Sequence, residues 1–529
     1  MNPHIHWLAD RWDLAPEHIP LIERLLAAEA GGSTALEIEG PAELPAPAFG
    51  PPSGSSPVVV VKTRGRAFLQ SRRLHEAEAE IAARILGLAS RSSPQPPGLK
   101  AALKALFPDA DAKDPQRLAA ARARTHDLLV LTGGPGTGKT HTLARALALL
   151  PGDRPVRLAA PTGKAAQRMK DAITAAADSL PESFDRAALR EAAASCQTIQ
   201  SLLHYNPDQG TTRPLPKSAI LILDECSMID VYLWQTVLRA LPDDGKLILV
   251  GDPNQLESVG QGRVFAAIAE APPPVERIHL VRARRFENSP GIQALARAIE
   301  NADPEAALQV VEGPPSDGLA FYPLATALDP HGFPPSIQNA LRQIARADTP
   351  AEALKATQTF CILTAHRHHF VGAEALNQKI QAFLAADAPI RHVPVIINKN
   401  DPETGRRNGS MGVIRTADQN AFFPKEGASP NEIPASRLPE FSPAWTITIH
   451  RAQGSEYDRV LVVLPRHESP LATRELLYTA ITRARNHLTI AGTPETIRAA
   501  CVRPSMRISL LPYALRHDLP AAAPLKTHV

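Results

Sequence analysis

The stretch DLLVLTGGPGTGKTHTLARAL, residues 127–147, decides the fold. A short apolar run bounded by polar residues predicts a buried strand. The glycine-rich turn that follows opens into a segment of helical character. Residues Gly133, Gly134, Pro135, Gly136, Thr137, Gly138, Lys139 and Thr140 fit the pattern GxxxxGK[ST] in the strand–loop–helix setting it requires. Glycines let such a loop wrap phosphate oxygens with its backbone N–H groups turned inward. Lys139 is then placed to reach the β- and γ-phosphates, and the Thr140 hydroxyl to hold Mg²⁺.

Three further runs repeat the theme: VRLAAPTG (156–163), AILILDE (219–225) and KLILVGD (246–252). Together they predict a parallel sheet covered on both faces, with ligands gathering at the carboxyl ends of its strands. Asp224 and Glu225 stand at one such end, where two adjacent carboxylates are costly without a task. Asp224 is expected to hold Mg²⁺, and Glu225 to orient or deprotonate a water for phosphoryl transfer. Asp252 and Gln255 close the last run, where a glutamine could contact a γ-phosphate or its water. Gln116, in DPQRLAA, could read an adenine edge with its amide.

A second strand series, FCILTA (360–365), RVLVVLP (459–465) and HLTIAG (487–492), predicts another α/β domain. Between its first two members, VPVIINKN and MGVIRT lie in a section rich in Gly, Pro and Asn that reads as a β insertion. Ahead of the first strand, EHIPLIERLLAAEA and LHEAEAEIAARILGL read as helices, and SPVVVVKTRGRAFLQ as one short strand or buried segment. The expected order is a helical packing or partner-binding domain (1–112), a first α/β domain (113–275, with a small insertion at about 185–217), and a second α/β domain (276–392 and 443–500). The β insertion (393–442) and a loose C-terminal tail (501–529) complete it.

The whole chain sets wide bounds. Its 529 residues exceed one core and suggest three or four domains. With 57 basic and 54 acidic residues, the formal charge of +3 neither requires nor excludes a nucleic-acid partner. The cysteines, Cys196, Cys226, Cys361 and Cys501, have neither zinc nor disulfide spacing and suit a reducing compartment. The opening MNPHIHWLADRWDL lacks the apolar core of a signal peptide, and no stretch has the roughly 18 apolar residues of a membrane span. A cytoplasmic location is expected.

The ordered set GGPGTGKT, APTGKAAQRM, LDECSM, GDPNQLESVGQG, RRFENSPGI, TIHRAQGSEYDRVLVVLP and RELLYTAITRARNHLTI resembles superfamily 1 DNA helicases, and more closely their RecD family. The match runs from about Gln116 to Gly492. It implies an α/β fold of two RecA-like P-loop motor domains, a helical N-terminal domain and a small SH3-like β insertion. It also implies a bacterial, ATP- and Mg²⁺-dependent 5′→3′ DNA helicase that works with two larger RecB-like and RecC-like subunits of exodeoxyribonuclease V in double-strand break repair. The nuclease centre is expected in another subunit. A free-standing helicase of the same family is the alternative; such relatives carry a longer N-terminal extension than the first 110 residues offer.

The resemblance also implies residue roles. Gln116 contacts adenine, Gln255 the γ-phosphate, and Arg285 and Arg483 act as arginine fingers reaching the γ-phosphate from the second motor domain. Thr162, Gly163 and Lys164 lie near the DNA backbone; with Thr162 and Lys164, the candidate strand contacts are His204 in TIQSLLHY, Asn408 in RRNGSMG and His450. His450, Gln453, Gly454 and Glu456 stand between nucleotide and strand. Two departures are visible. Cys226 replaces a common alanine and is expected to pack; Arg451 replaces a lysine, keeping the charge but changing donor geometry.

Overall fold

The computed structural model describes residues 3–39, 44, 48–205, 211–281, 289–313, 318–323, 329–401, 403–424 and 430–519. The chain divides into two units. The first holds residues 1–253, 257–282 and 506–529; the second holds 254–256 and 283–505.

The N-terminal region has more than the expected helices. β1 (Leu36–Ile38), β2 (Phe49–Gly50), β3 (Val58–Thr63) and β4 (Arg66–Ser71) form a sheet of order β1-β4-β3-β2. The single segment expected at SPVVVVKTRGRAFLQ is a hairpin. Thr63 faces Arg66 across a two-residue turn, with Arg64 at φ 49° and Gly65 at φ 74°. Positive φ at both turn positions matches the twist of the two strands, which is why the chain reverses there so tightly. The sheet and the helix Ile19–Ala30 share a small core of Ile22, Leu25, Phe49, Val58 and Leu69.

The helix Arg72–Ala89 belongs to the larger core. Leu74, Ala77, Ile81, Ile85 and Leu88 recur at helical spacing, and all are buried against the main sheet of the first unit. That sheet comprises β5 (Leu128–Gly133), β6 (Val156–Ala160), β7 (Gln197–Thr198), β8 (Ile220–Leu223), β9 (Lys246–Gly251) and β10 (Arg277–Leu280). It is parallel throughout, in the order β10-β5-β9-β8-β6-β7. Alternate residues feed opposite faces. Leu128, Val130, Leu221, Leu223, Leu247 and Leu249 enter the core under the helix Arg72–Ala89. Leu129, Leu131, Ile220, Ile222, Ile248 and Val250 enter the other core, beneath the helices Pro115–Thr125, Lys139–Leu147 and Gly163–Asp178. Burial on both sides explains why these runs are apolar without alternation.

The second unit repeats the design and adds the insertion. In chain order it carries β11 (Leu319–Pro323), β12 (Phe360–Thr364), β13 (His392–Ile397), β14 (Met411–Arg415) and β15 (Asn420–Phe423). They are followed by β16 (Asn431–Pro434), β17 (Phe441–Pro443), β18 (Thr446–Thr448), β19 (Tyr457–Val463) and β20 (Ala484–Gly492). A parallel sheet has the order β11-β20-β19-β12-β18. The insertion is a separate antiparallel sheet of order β16-β15-β14-β13-β17. Among the described residues β16 and β17 are its unpaired edges, so a closed SH3-like barrel is not seen.

Three expected boundaries move. Residues 185–217 are not simply an excursion, because β7 lies within them and extends the main sheet beside β6. The first unit runs past 275 to include β10, which pairs with β5 from Arg277 to Leu280. The tail, expected to be loose from 501, packs over residues 506–519 on the first unit. Its helix Leu511–Leu515 buries Leu511 and Leu515 in the core beside the helix Arg72–Ala89.

The anchor of that segment is Glu78, a buried carboxylate. It accepts from Thr34 Oγ1 (2.7 Å), Gln70 Nε2 (2.8 Å), Ser509 Oγ (2.6 Å) and the Leu510 N–H (3.1 Å). Desolvation raises its pKa, and these four donors pull it back.

Candidate active site

Parallel register brings the singled-out residues of the first unit to one edge. Thr132 pairs with Gly251, Leu223 with Leu249, and Ala159 with Leu223. The segments leaving β5, β6, β8 and β9 therefore begin side by side, carrying Gly134–Thr140, Thr162, Asp224 and Asp252.

The loop after β5 has the shape a phosphate needs. Gly136 and Gly138 have φ of 76° and 85°, a region that side chains disfavour. At Gly133 a Cβ would fall 2.6 Å from Thr137 Oγ1 and 2.8 Å from Leu280 O, so only glycine fits beneath the loop. Thr137 Oγ1 donates to Gly134 O at 2.8 Å, and Lys139 Nζ donates to Gly133 O and Gly134 O at 2.6 and 3.0 Å. Lys139 and Thr140 begin the helix Lys139–Leu147, whose N-terminal end and dipole favour an anion. Gln116 lies on the helix Pro115–Thr125, which starts at an Asp114 cap accepting from the Arg117 N–H at 2.9 Å. Its Nε2 is 3.5 Å from Thr137 O, so the expected adenine reader does stand beside the loop.

Asp224 and Glu225 leave β8 together. One Asp224 oxygen accepts the Glu225 N–H at 2.8 Å. Burial first, then the neighbouring Glu225 charge, pushes the Asp224 pKa up to about 6, while Lys139 and Arg168 act in the opposite sense. A carboxylate this strained electrostatically, within the field of the loop lysine, fits a divalent cation. Arg168, on the helix Gly163–Asp178, is not among the residues expected from sequence, although it lies within APTGKAAQRM. Glu225 adopts a left-handed backbone (φ 52°, ψ 43°), costing roughly 1–3 kcal/mol for a non-glycine residue. Strain kept at a polar strand end accords with a functional task. Cys226 is buried, its thiol 3.3 Å from Leu223 O, and its pKa is raised by desolvation; it packs.

Asn254, Gln255 and Leu256 belong to the second unit, although Asp252 belongs to the first. Gln255 is buried there. Arg483 is also buried in the second unit, 2% exposed, donating from Nε to Thr479 O (3.0 Å) and from Nη1 to Ser455 O (3.1 Å). Arg285 lies outside the described residues. Glu456 pairs with Arg485 at 3.3 Å, and Gly454 has φ 69°.

The residues expected near DNA are distributed over both units. Thr162 caps the helix Gly163–Asp178 by accepting the Ala165 N–H at 3.2 Å, and Lys164 is exposed on the first turn. His204 is exposed with φ 47°. In the second unit Asn408 is exposed in the loop joining β13 to β14, its N–H donating to Asn400 Oδ1 at 2.8 Å. His450 follows β18, beside Arg451, whose Nη1 donates to Ser442 Oγ at 3.3 Å. The loop after β12, not singled out from sequence, begins beside the last of these. Thr364 pairs with Thr448, which places His366–Phe370 next to the His450 loop. There His366 and His369 stack at 4.9 Å, and Phe370 is exposed. The run HRHHF, aromatic and basic by turns at a strand end, was a signal available in the sequence.

A phosphate loop, paired acidic residues and two parallel-sheet units in one chain define a P-loop motor of the helicase class. The AAA domain family matches residues 112–313, and the UvrD-like helicase C-terminal domain matches residues 443–491. The chain is 35% identical to the RecBCD enzyme subunit RecD of Mycolicibacterium smegmatis, over 76% of this chain and 74% of that protein. It is 33% identical to the subunit of the same name from Mycobacterium tuberculosis, over 92% of this chain and 87% of that protein. The ATP-dependent RecD2 DNA helicase of Deinococcus radiodurans is 29% identical over 72% of this chain and 48% of its own length. The chain belongs to the RecD family of ATP-dependent DNA helicases. Among the described residues, no helix is long and apolar enough to cross a membrane.

Proposed function

We propose that this chain is the 5′→3′ motor subunit of a RecBCD-type exodeoxyribonuclease, acting from DNA ends with RecB-like and RecC-like partners. The observation that carries the reading is the match along 87% of a RecBCD subunit, joined to a phosphate loop and paired acids at one sheet edge. Lys139 and the loop N–H groups bind the β- and γ-phosphates of ATP. Glu225 orients the attacking water and accepts its proton, and Gln116 positions the base. Gln255 senses the terminal phosphate, and Arg285 and Arg483 neutralise charge developing in transfer. Thr140 and Asp224 would hold Mg²⁺, which when bound supplies charge neutralisation at the phosphates.

Thr162, Lys164, His204, Asn408 and His450 track the strand through its backbone, as a motor indifferent to sequence requires. Gly454 and Glu456 lie between these contacts and the nucleotide. Purification of the native chain is expected to bring down two much larger subunits, and the complex to translocate on single strands blocked at the 3′ end but not at the 5′ end. A processive monomer would instead favour the free-standing reading that the RecD2 similarity supports.

Cation binding at Asp224 should depend on pH. A carboxyl with its pKa pushed to about 6 must lose its proton to take a cation. Proton competition at one site should weaken Mg²⁺ binding by about tenfold per pH unit below that value. The extra thermal stabilisation by Mg·ADP over ADP alone, followed from pH 7.5 to 5, measures this. A response equal to that of Asp224→Asn at every pH would remove Asp224 from the cation site.

A further inference from the structure

The peptide groups of Leu256 are both held by side chains of the second unit. Its N–H donates to Thr479 Oγ1 at 2.7 Å, and its carbonyl accepts from Gln453 Nε2 at 2.8 Å. Two residues earlier, Asn254 Nδ2 donates to Glu300 Oε1 at 2.6 Å, and the Leu256 side chain packs on the core of the second unit. Gln255 is thus the middle residue of a tripeptide tied down on both sides.

Thr479 has no exposed surface and lies on the helix Arg474–Ile481. A hydroxyl at such a site must be satisfied, and its partner is the backbone directly after Gln255. The carbonyl of the same threonine accepts from Arg483 Nε at 3.0 Å. One residue therefore bonds through its side chain to the Gln255 tripeptide and through its backbone to Arg483. Gln453, the other half of the clamp, comes from the HRAQG loop, next to His450 and Arg451.

We propose that Thr479 is a positioning residue that couples the DNA-facing loop to hydrolysis. Its hydroxyl sets where Gln255 is presented and links that placement to Arg483, while Gln453 carries it to the loop assigned to DNA. The inference rests on the motor reading above and adds to it the means by which DNA stimulates turnover. Without the hydroxyl, the Leu256 N–H loses this acceptor and the tripeptide is free to shift; the phosphate loop, made of other residues, is untouched.

The test uses the full chain, comparing Thr479→Val and Thr479→Ser for ATP turnover with and without single-stranded DNA. Thr479→Val should lower the DNA-stimulated kcat by about tenfold, the size of effect from one lost hydrogen bond. The DNA-free rate and the KM for ATP should stay within about twofold, since uniform binding is not lost, and Thr479→Ser should restore stimulation. The proposal is overturned if Thr479→Val keeps normal stimulation. It is equally overturned if both rates fall together with the melting temperature and serine restores neither, which marks a purely structural hydroxyl. An unsubstituted chain whose ATP turnover ignores DNA would defeat the motor reading itself, a separate outcome.

Discussion

Replacing Lys139 with glutamine is expected to abolish ATP hydrolysis and DNA unwinding while the chain stays folded. Lys139 Nζ donates to two carbonyls of its own loop, Gly133 O and Gly134 O, so the fold loses little. The chemistry loses a full positive charge where the transferred phosphoryl group gathers negative charge. Removing such electrostatic stabilisation costs about 10²–10³-fold in turnover or more. Turnover and unwinding of a tailed duplex, with a melting curve to verify folding, decide the matter. Normal unwinding by Lys139→Gln would defeat the motor assignment.

The largest stability effect is expected at Glu78, far in sequence from any motif. Glu78→Ala leaves Thr34 Oγ1, Gln70 Nε2, Ser509 Oγ and the Leu510 N–H without their shared acceptor. Orphaned buried donors cost about 1–3 kcal/mol each when nothing relaxes. With local rearrangement and water entry, a loss of about 3–5 kcal/mol is expected, comparable to breaking a buried charged network. Two measurements follow: a lower urea midpoint, and protease cleavage appearing between residues 506 and 519. An unchanged midpoint with a protected C-terminal segment would show that apolar packing of Leu511 and Leu515 suffices to hold it.

Legibility followed physical range. β5, β6, β8 and β9 were readable because strands buried on both faces must be continuously apolar, and the phosphate loop because its glycines answer a local backbone demand. The hairpin at Arg64–Gly65 was harder to see, since Val58–Val61 lacks the alternation of a half-exposed strand. β7 and β18 are only two and three residues long and carry no periodicity. β10 sits next to the expected domain boundary and is assigned to the first sheet by its pairing with β5 alone.

The sequence by itself determined that two α/β sheets exist, that a glycine-rich loop of the phosphate-binding pattern fills residues 133–140, and that Asp224 and Glu225 follow a strand. Each of these depends on neighbours within a few residues, where spacing and residue type carry the whole physical requirement. Only the tertiary structure decided that residues 506–519 return to Glu78, that Gln255 is held with the second unit, and that Arg483 is buried against the carbonyls of Thr479 and Ser455. Those facts depend on hydrogen bonds whose partners lie anywhere from a helical turn to hundreds of residues away. A buried donor must find an acceptor, but nothing in its local sequence says which one it will find.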